Sequence, residues 1–195
     1  MGTIKTTNIQ SISGSGTVTL GTSGETLALG SNVTVTGNGL VGITAADQWR
    51  LTANLTMAAS ATIISANWEQ TDTNGFGNLG SAMSESSGIF TFPSTGIWLI
   101  RFNMWVSSLD SDYAVGYIYT TTNNSTYNQA TATVASGTTT AQNNNAMTEF
   151  MFDVTNTSTH KVAFYQLREG SNATIKADTA DSTQTGATFI RLGDT

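Results

Sequence analysis

Apolar and polar residues alternate with a period of two along most of this chain, and no stretch shows a 3.6-residue period. Side chains two apart share a face of a strand, so the pattern predicts an all-β protein with very little helix. The most regular run is 97–106. Its even positions, Trp98, Ile100, Phe102, Met104 and Val106, are all apolar and predict a core face. Its odd positions, Ile97, Leu99, Arg101, Asn103 and Trp105, are mixed. They predict a half-buried face on an inner strand that touches something else, such as a neighbouring subunit. Tyr113, Val115, Tyr117 and Tyr119 alternate next, and Phe150, Phe152 and Val154 alternate with Glu149, Met151 and Asp153. Further strands read at 63–68, 89–92, 162–167 and 187–192, and the Thr- and Asn-rich stretch 120–145 reads as edge strands or loops. Seven or more strands divided by turn signals predict a β-sandwich over residues 62–195.

Residues 1–43 have a different texture. Val18 and Leu20 precede Gly21, Leu27 and Leu29 precede Gly30, and Val33 and Val35 precede Gly37. Each pair lies on one face of a strand, but faces this short cannot bury a core alone. Three copies wrapped around one axis would keep them dry, so the region predicts a short intertwined β-shaft. The alternative is a Gly/Ser/Thr linker, which has no need of in-register aliphatic pairs. Residues 44–61 hold Trp49-Arg50-Leu51 and Ala58-Ala59-Ser60-Ala61 and are assigned to a collar or linker, as a helical turn or a loop. Three segments follow: shaft 1–43, collar 44–61 and head 62–195.

Composition narrows the choice. Only 10% of the 195 residues are charged, against ~25% in an ordinary soluble domain. Thr, Ser, Asn and Gly fill the gap. With no Cys, neither a disulfide framework nor a thiolate metal site is available, and oligomerisation becomes the expected source of rigidity. A net charge of −6 with seven Lys and Arg argues against nucleic acid as a partner. Residues 1–10 have no apolar signal-peptide core, and no run of about 18 apolar residues exists to insert in a membrane. The opening Met1-Gly2-Thr3-Ile4-Lys5-Thr6 formally fits a myristoylation pattern, which is permissive enough to arise by chance.

One motif carries a resemblance. Residues 88–102 read Gly-Ile-Phe-Thr-Phe-Pro-Ser-Thr-Gly-Ile-Trp-Leu-Ile-Arg-Phe. They resemble the signature of complement-one-q and tumour-necrosis-factor-like jelly-roll heads on Gly88, Phe90, Pro93, Gly96 and Trp98, the last one position later than usual. Phe102 lies in the apolar strand that follows. Asn67-Trp68-Glu69 and the run 186–192 look like the family's first and last strands. The resemblance covers residues 62–195 and implies a jelly-roll head that forms a homotrimer and works through its outer surface and loops. The arrangement of shaft, collar and head also resembles a phage virion fibre or a capsid or tail decoration protein. That likeness implies assembly in a host cytoplasm, localisation in the virion, attachment to other virion proteins through the N-terminal segment, and contact of the head with the host surface. A glycan-binding lectin module is the alternative.

Candidate chemistry is sparse. Asp110 with Asp112, or Asp178 with Asp181, could offer oxygen ligands to calcium; solvated loops are the plainer reading. No other cofactor is expected. Residues 75–80 fit G-x-G-x-x-G, but no helical pattern follows to complete a dinucleotide site. His160 is the single histidine, too few for zinc or a convincing triad, and is expected on the surface. No catalytic residues are assigned and the protein is not expected to be an enzyme. Asn-x-Ser/Thr sequons, among them Asn32, Asn54, Asn124, Asn156 and Asn172, fit chance in so Thr-rich a chain.

Overall fold

The computed structural model describes residues 42–73, 75–107, 109, 113–137, 142–178 and 182–195. The shaft residues Val18, Leu20, Leu27, Leu29, Val33 and Val35 lie outside them. Every regular element among the described residues is a strand: β1 Ala45–Leu51, β2 Leu55–Thr56, β3 Thr62–Ile63, β4 Trp68–Gln70, β5 Ser84–Ser86, β6 Ile89–Thr91, β7 Gly96–Ser107, β8 Tyr113–Thr121, β9 Asn128–Ser136, β10 Asn143–Val154, β11 Lys161–Arg168, β12 Thr174–Ile175 and β13 Gly186–Gly193.

They form two antiparallel sheets. In the first, β4, β1, β13, β7 and β10 lie side by side. Strand β10 occupies one whole edge of β7, from Gly96 to Ser107. The other edge is shared: β13 pairs with 97–103, and β12 takes over at Val106 and Ser107, with β2 beyond it. In the second sheet the order is β5, β6, β11, β8, β9, with β3 sharing the β6 edge of β11. The chain changes sheet between β2 and β3, β3 and β4, β4 and β5, β6 and β7, β7 and β8, β9 and β10, β10 and β11, and β11 and β12. This is a jelly-roll sandwich, the fold class expected.

The core lies between the sheets. Trp98, Ile100, Phe102, Met104 and Val106 are each at most 1% exposed, so the even face of β7 is fully dry. Phe90 sits at the centre of an aromatic cluster, 5.2–5.4 Å from the rings of Trp49, Trp68, Phe164 and Phe189. Edge-on and tilted contacts of this kind suit the ring quadrupoles. Gly116 leaves room for that core, since a Cβ there would lie 3.0 Å from the Phe102 ring.

Two glycines of the sequence motif set the backbone path. Ser87 and Gly88 both have positive φ (54° and 83°) in the two-residue turn joining β5 to β6, as a type I′ hairpin requires. A Cβ on Gly88 would also meet the Ile64 carbonyl at 2.4 Å. Pro93 then ends the β6 segment, and Gly96 opens β7 at φ 139°. In that turn the Trp98 indole Nε1 donates to the Ser94 carbonyl at 3.1 Å.

The expected boundaries need correction. Residues 45–51 are not collar but strand β1, hydrogen-bonded between β13 and β4 inside the first sheet. The head therefore begins well before residue 62, and β1 rather than the stretch around Trp68 is its first strand. Asp47 and Arg50 are buried within β1, which breaks the alternation the sequence was read for. The Ala-rich 58–61 forms no helical turn. Ala58 is clamped to β11, its N–H donating to Gln166 Oε1 and its carbonyl accepting from Arg168 N.

Candidate interaction surfaces

The first candidate surface is the outer face of the β7–β10 sheet. On β10 the odd residues point outward, with Met147 55% and Met151 64% exposed. Strand register lines Met151 up with Leu99, Ile190 and Ala46, an apolar row crossing β10, β7, β13 and β1. The next row holds Glu149, Arg101, Thr188 and Gln48. There Arg101 Nη2 meets Glu149 Oε2 at 3.1 Å, both side chains about half exposed. Met147 faces Asn103, and Trp105 faces Asn145. The surface is thus an apolar row, a charged row and a Met–Trp flank on one sheet face.

Buried polar groups hold the β1 edge of this sheet. The Asp47 carboxylate is 3% exposed and accepts four N–H bonds. Oδ1 takes Gln48 N and Gln70 Nε2 at 2.9 and 2.8 Å; Oδ2 takes Trp49 Nε1 and Met83 N at 2.9 and 2.8 Å. A buried carboxylate is tolerated only when its lone pairs are satisfied in this way. On the opposite side of the strand, Arg50 pairs with Glu69 at 2.9 Å and donates to the Asp178 carbonyl. Thr185, fully buried, fills the handover between β12 and β13, its Oγ1 accepting from Trp105 N at 3.0 Å. Sequence reading missed all three, since a lone polar residue in a strand carries no sign that it faces inward.

His160 is not on the surface. It is 9% exposed, stacks on Phe152 at 5.6 Å and sits between the Thr155 and Thr159 hydroxyls. Its N–H closes the 156–160 turn on the Asn156 carbonyl. Of the calcium candidates, Asp110, Asp112 and Asp181 lie outside the described residues. The Asp178 carboxylate accepts from the backbone N–H and hydroxyl of Ser182. Among the described residues no three metal-ligating side chains gather.

The glycine run 75–80 has a packing role. Leu79 bridges to Ala46 through two backbone hydrogen bonds, and Gly80 at φ 66° leaves no space for a Cβ beside the Thr44 carbonyl. A cleft of about 360 Å³ opens next to it, lined by Gln48, Thr71, Thr73, Phe76 and Thr183. The Thr71 hydroxyl in its wall is buried with no hydrogen-bond partner among the described residues.

The second candidate surface is the outer face of the β8–β11 sheet, which gathers the chain's tyrosines. Tyr119 stacks on Tyr165 at 4.2 Å and meets Tyr117 edge-on at 5.9 Å. Burial, and then the neighbouring phenols, raise the pKa values of Tyr117, Tyr127 and Tyr165 above 10.0; Glu169 adds to the rise at Tyr117. At one end of the sheet Lys161 Nζ donates to Thr91 Oγ1 and the Thr157 carbonyl, and burial lowers its pKa.

Strand order, sheet pairing and the Phe90-centred core define a jelly roll of the tumour-necrosis-factor type. Among solved structures, murine APRIL at pH 5.0 superposes with a TM-score of 0.57 at 12% identity, over 76% of this chain and 98% of that one. Eiger TNF from S. frugiperda gives 0.57 at 12% identity, over 78% and 95%. No family model matches the chain, and no curated protein sequence matches it.

Proposed function

We propose that this chain is a virion structural protein, the head and attachment segment of a trimeric phage fibre or of a capsid or tail decoration. Three jelly rolls associate through the outer face of the β7–β10 sheet, residues 1–43 attach the trimer to other virion proteins, and the heads face the host surface. The observation that carries the assembly is the row Met151, Leu99, Ile190 and Ala46 beside exposed Met147. Exposed methionines on this sheet face leave apolar area in water, which association removes. The fold shared with APRIL and Eiger TNF supports the reading at the level of architecture. The virion setting rests on the shaft-like pattern of the first 43 residues and on the low charge and absence of Cys. Light scattering tests assembly: the expected mass is that of three 20.5 kDa chains, and a single-chain mass at micromolar concentration overturns it. Antibody labelling of intact particles tests the setting, with unlabelled particles counting against it.

A further inference from the structure

We propose that the outer face of the β8–β11 sheet is a binding platform for uncharged carbohydrate. The proposal extends the host-contact part of the preceding reading, but it stands on a different sheet and on different residues.

Six of the rings without hydroxyls fill the core: Phe90, Phe92, Trp98, Phe102, Phe164 and Phe189 are each at most 1% exposed, whereas Trp49, Phe76, Trp105 and Phe150 are half-buried. The chain has five tyrosines, and all of them gather at one outer sheet face. Tyr113, Tyr117 and Tyr119 occupy alternate positions of β8, opposite in parity to the core residues Ala114 and Ile118. Tyr165 is the β11 partner of Tyr117 and stacks on Tyr119. Tyr127, just before β9, stands beside Tyr165. Val115 lies between Tyr113 and Tyr117 on the same face and pairs with Val134 and Leu167, so the face mixes phenols with aliphatic side chains.

Tyr113 is exposed and the other four rings are half-buried, with small residues beside them. On the β9 side the residues opposite Tyr117 and Tyr113 are Ala132 and Ser136, both exposed and small. Gln129, also exposed, pairs with Tyr119 and offers an amide at the rim. The loop leading to Tyr127 is set rigidly, because Asn123 Oδ1 accepts from Ser125 N, Ser125 Oγ and Thr126 N. The Tyr127 hydroxyl is enclosed and has no hydrogen-bond partner among the described residues, so the cluster holds a donor still to be satisfied.

Charge selects the ligand. Platforms of aromatic rings on sheets also bind single-stranded nucleic acid, but they do so with cations that track phosphates. Here the two cationic side chains of β11 are engaged elsewhere: Lys161 with Thr91 and Thr157, Arg168 with the carbonyls of Met57 and Gly170. Glu169 lies close enough to Tyr117 to raise its pKa, and the chain carries −6 overall. Phosphate, sulfate or uronate would be repelled. A pyranose without charge fits, its C–H face lying on a ring and its hydroxyls meeting phenols and the Gln129 amide. If the opposite sheet face is taken up by assembly, this face points outward on every subunit, and repeated weak sites on one particle add by avidity.

The test uses the full chain on an array of neutral gluco-, galacto- and manno-oligosaccharides, with sulfated and uronate-containing oligosaccharides and oligo-dT as the charged arm. Binding to at least one neutral series is expected, with none in the charged arm. Tyr117→Ala is expected to weaken it about ten-fold or more. Ala132→Arg, which keeps every tyrosine and lays a long side chain over the Tyr117 ring, is expected to do the same. Failure of every neutral series in saturation-transfer NMR at millimolar sugar overturns the proposal, as does binding unchanged in Ala132→Arg or a preference for the charged arm. Light scattering on the same samples separates the two readings. A trimer that ignores sugar sinks only this one, and a monomer that binds sugar sinks only the assembly.

Discussion

Replacing Met147 and Met151 together by Glu should dissolve the assembly while leaving each head folded. The two side chains are 55% and 64% exposed on the isolated chain. Burying a whole Met side chain is worth about 1.5–3 kcal/mol, so covering the exposed part of each contributes about 1–2 kcal/mol. Losing both weakens each interface by about 2–4 kcal/mol, roughly 30- to 1000-fold in its association constant. Two added carboxylates beside Glu149 raise the cost further, because they must be desolvated near a like charge. The head itself should scarcely notice, since exposed substitutions usually change stability by no more than about 0.5 kcal/mol. The measurement is light scattering over a dilution series from micromolar to nanomolar, with thermal melting followed by circular dichroism. The wild type should keep a three-chain mass to lower concentration than the variant, which should run as a single chain at micromolar. An unchanged three-chain mass across the series would refute the argument and move the interface to another face.

Three further outcomes follow from the interior and the phenols. Asp47→Asn should cost about 2–4 kcal/mol, because each oxygen already accepts two N–H bonds and an amide NH₂ must face two donors; at about 2–4 °C per kcal/mol that lowers the melting temperature by about 5–15 °C, and a shift under about 2 °C would show the network is dispensable. Gly96→Ala should cost about 1–3 kcal/mol, since its φ is 139° and its Cβ would sit 2.5 Å from the Gly193 carbonyl; a melt like the wild type's would contradict it. The raised pKa values of Tyr117, Tyr127 and Tyr165 mean that the folded state favours the neutral phenol. Their stabilisation is complete below pH 10 and is lost as pH rises through the folded values, whereas the lowered pKa of Lys161 acts in the opposite sense as pH rises towards 10.5. Three groups against one predict a net fall in melting temperature above pH 10, with phenol absorbance at 295 nm titrating above the ordinary tyrosine range for part of the population; a flat or rising profile would show the opposite balance.

Much of the fold was legible because burial writes itself as alternation where a strand has one dry and one wet face. Strand β7 shows this directly, and so do β8 and β10. Strand β1 was not legible, because its inward residues include Asp47 and its outward Arg50 is buried, donating to the Asp178 carbonyl. Strand β9, Asn128–Ser136, was left between edge strand and loop for a different reason: its inward residues are small, Ala135 among them, so no large apolar side chain marks the core face. The packing of the glycine run 75–80 against Thr44 and Ala46 needed coordinates.

The amino-acid sequence alone determined the all-β class and the core face of β7, because these depend on neighbours within a few residues. Only the tertiary structure decided that Ala45–Leu51 belongs to the head, that Asp47 and His160 are interior, and that five tyrosines separated by up to half a hundred positions share one face. Strand pairing brings distant segments together through backbone groups that every residue carries, so register leaves little trace in side-chain identity. Which surfaces exist is settled by that register, and with it what each could bind.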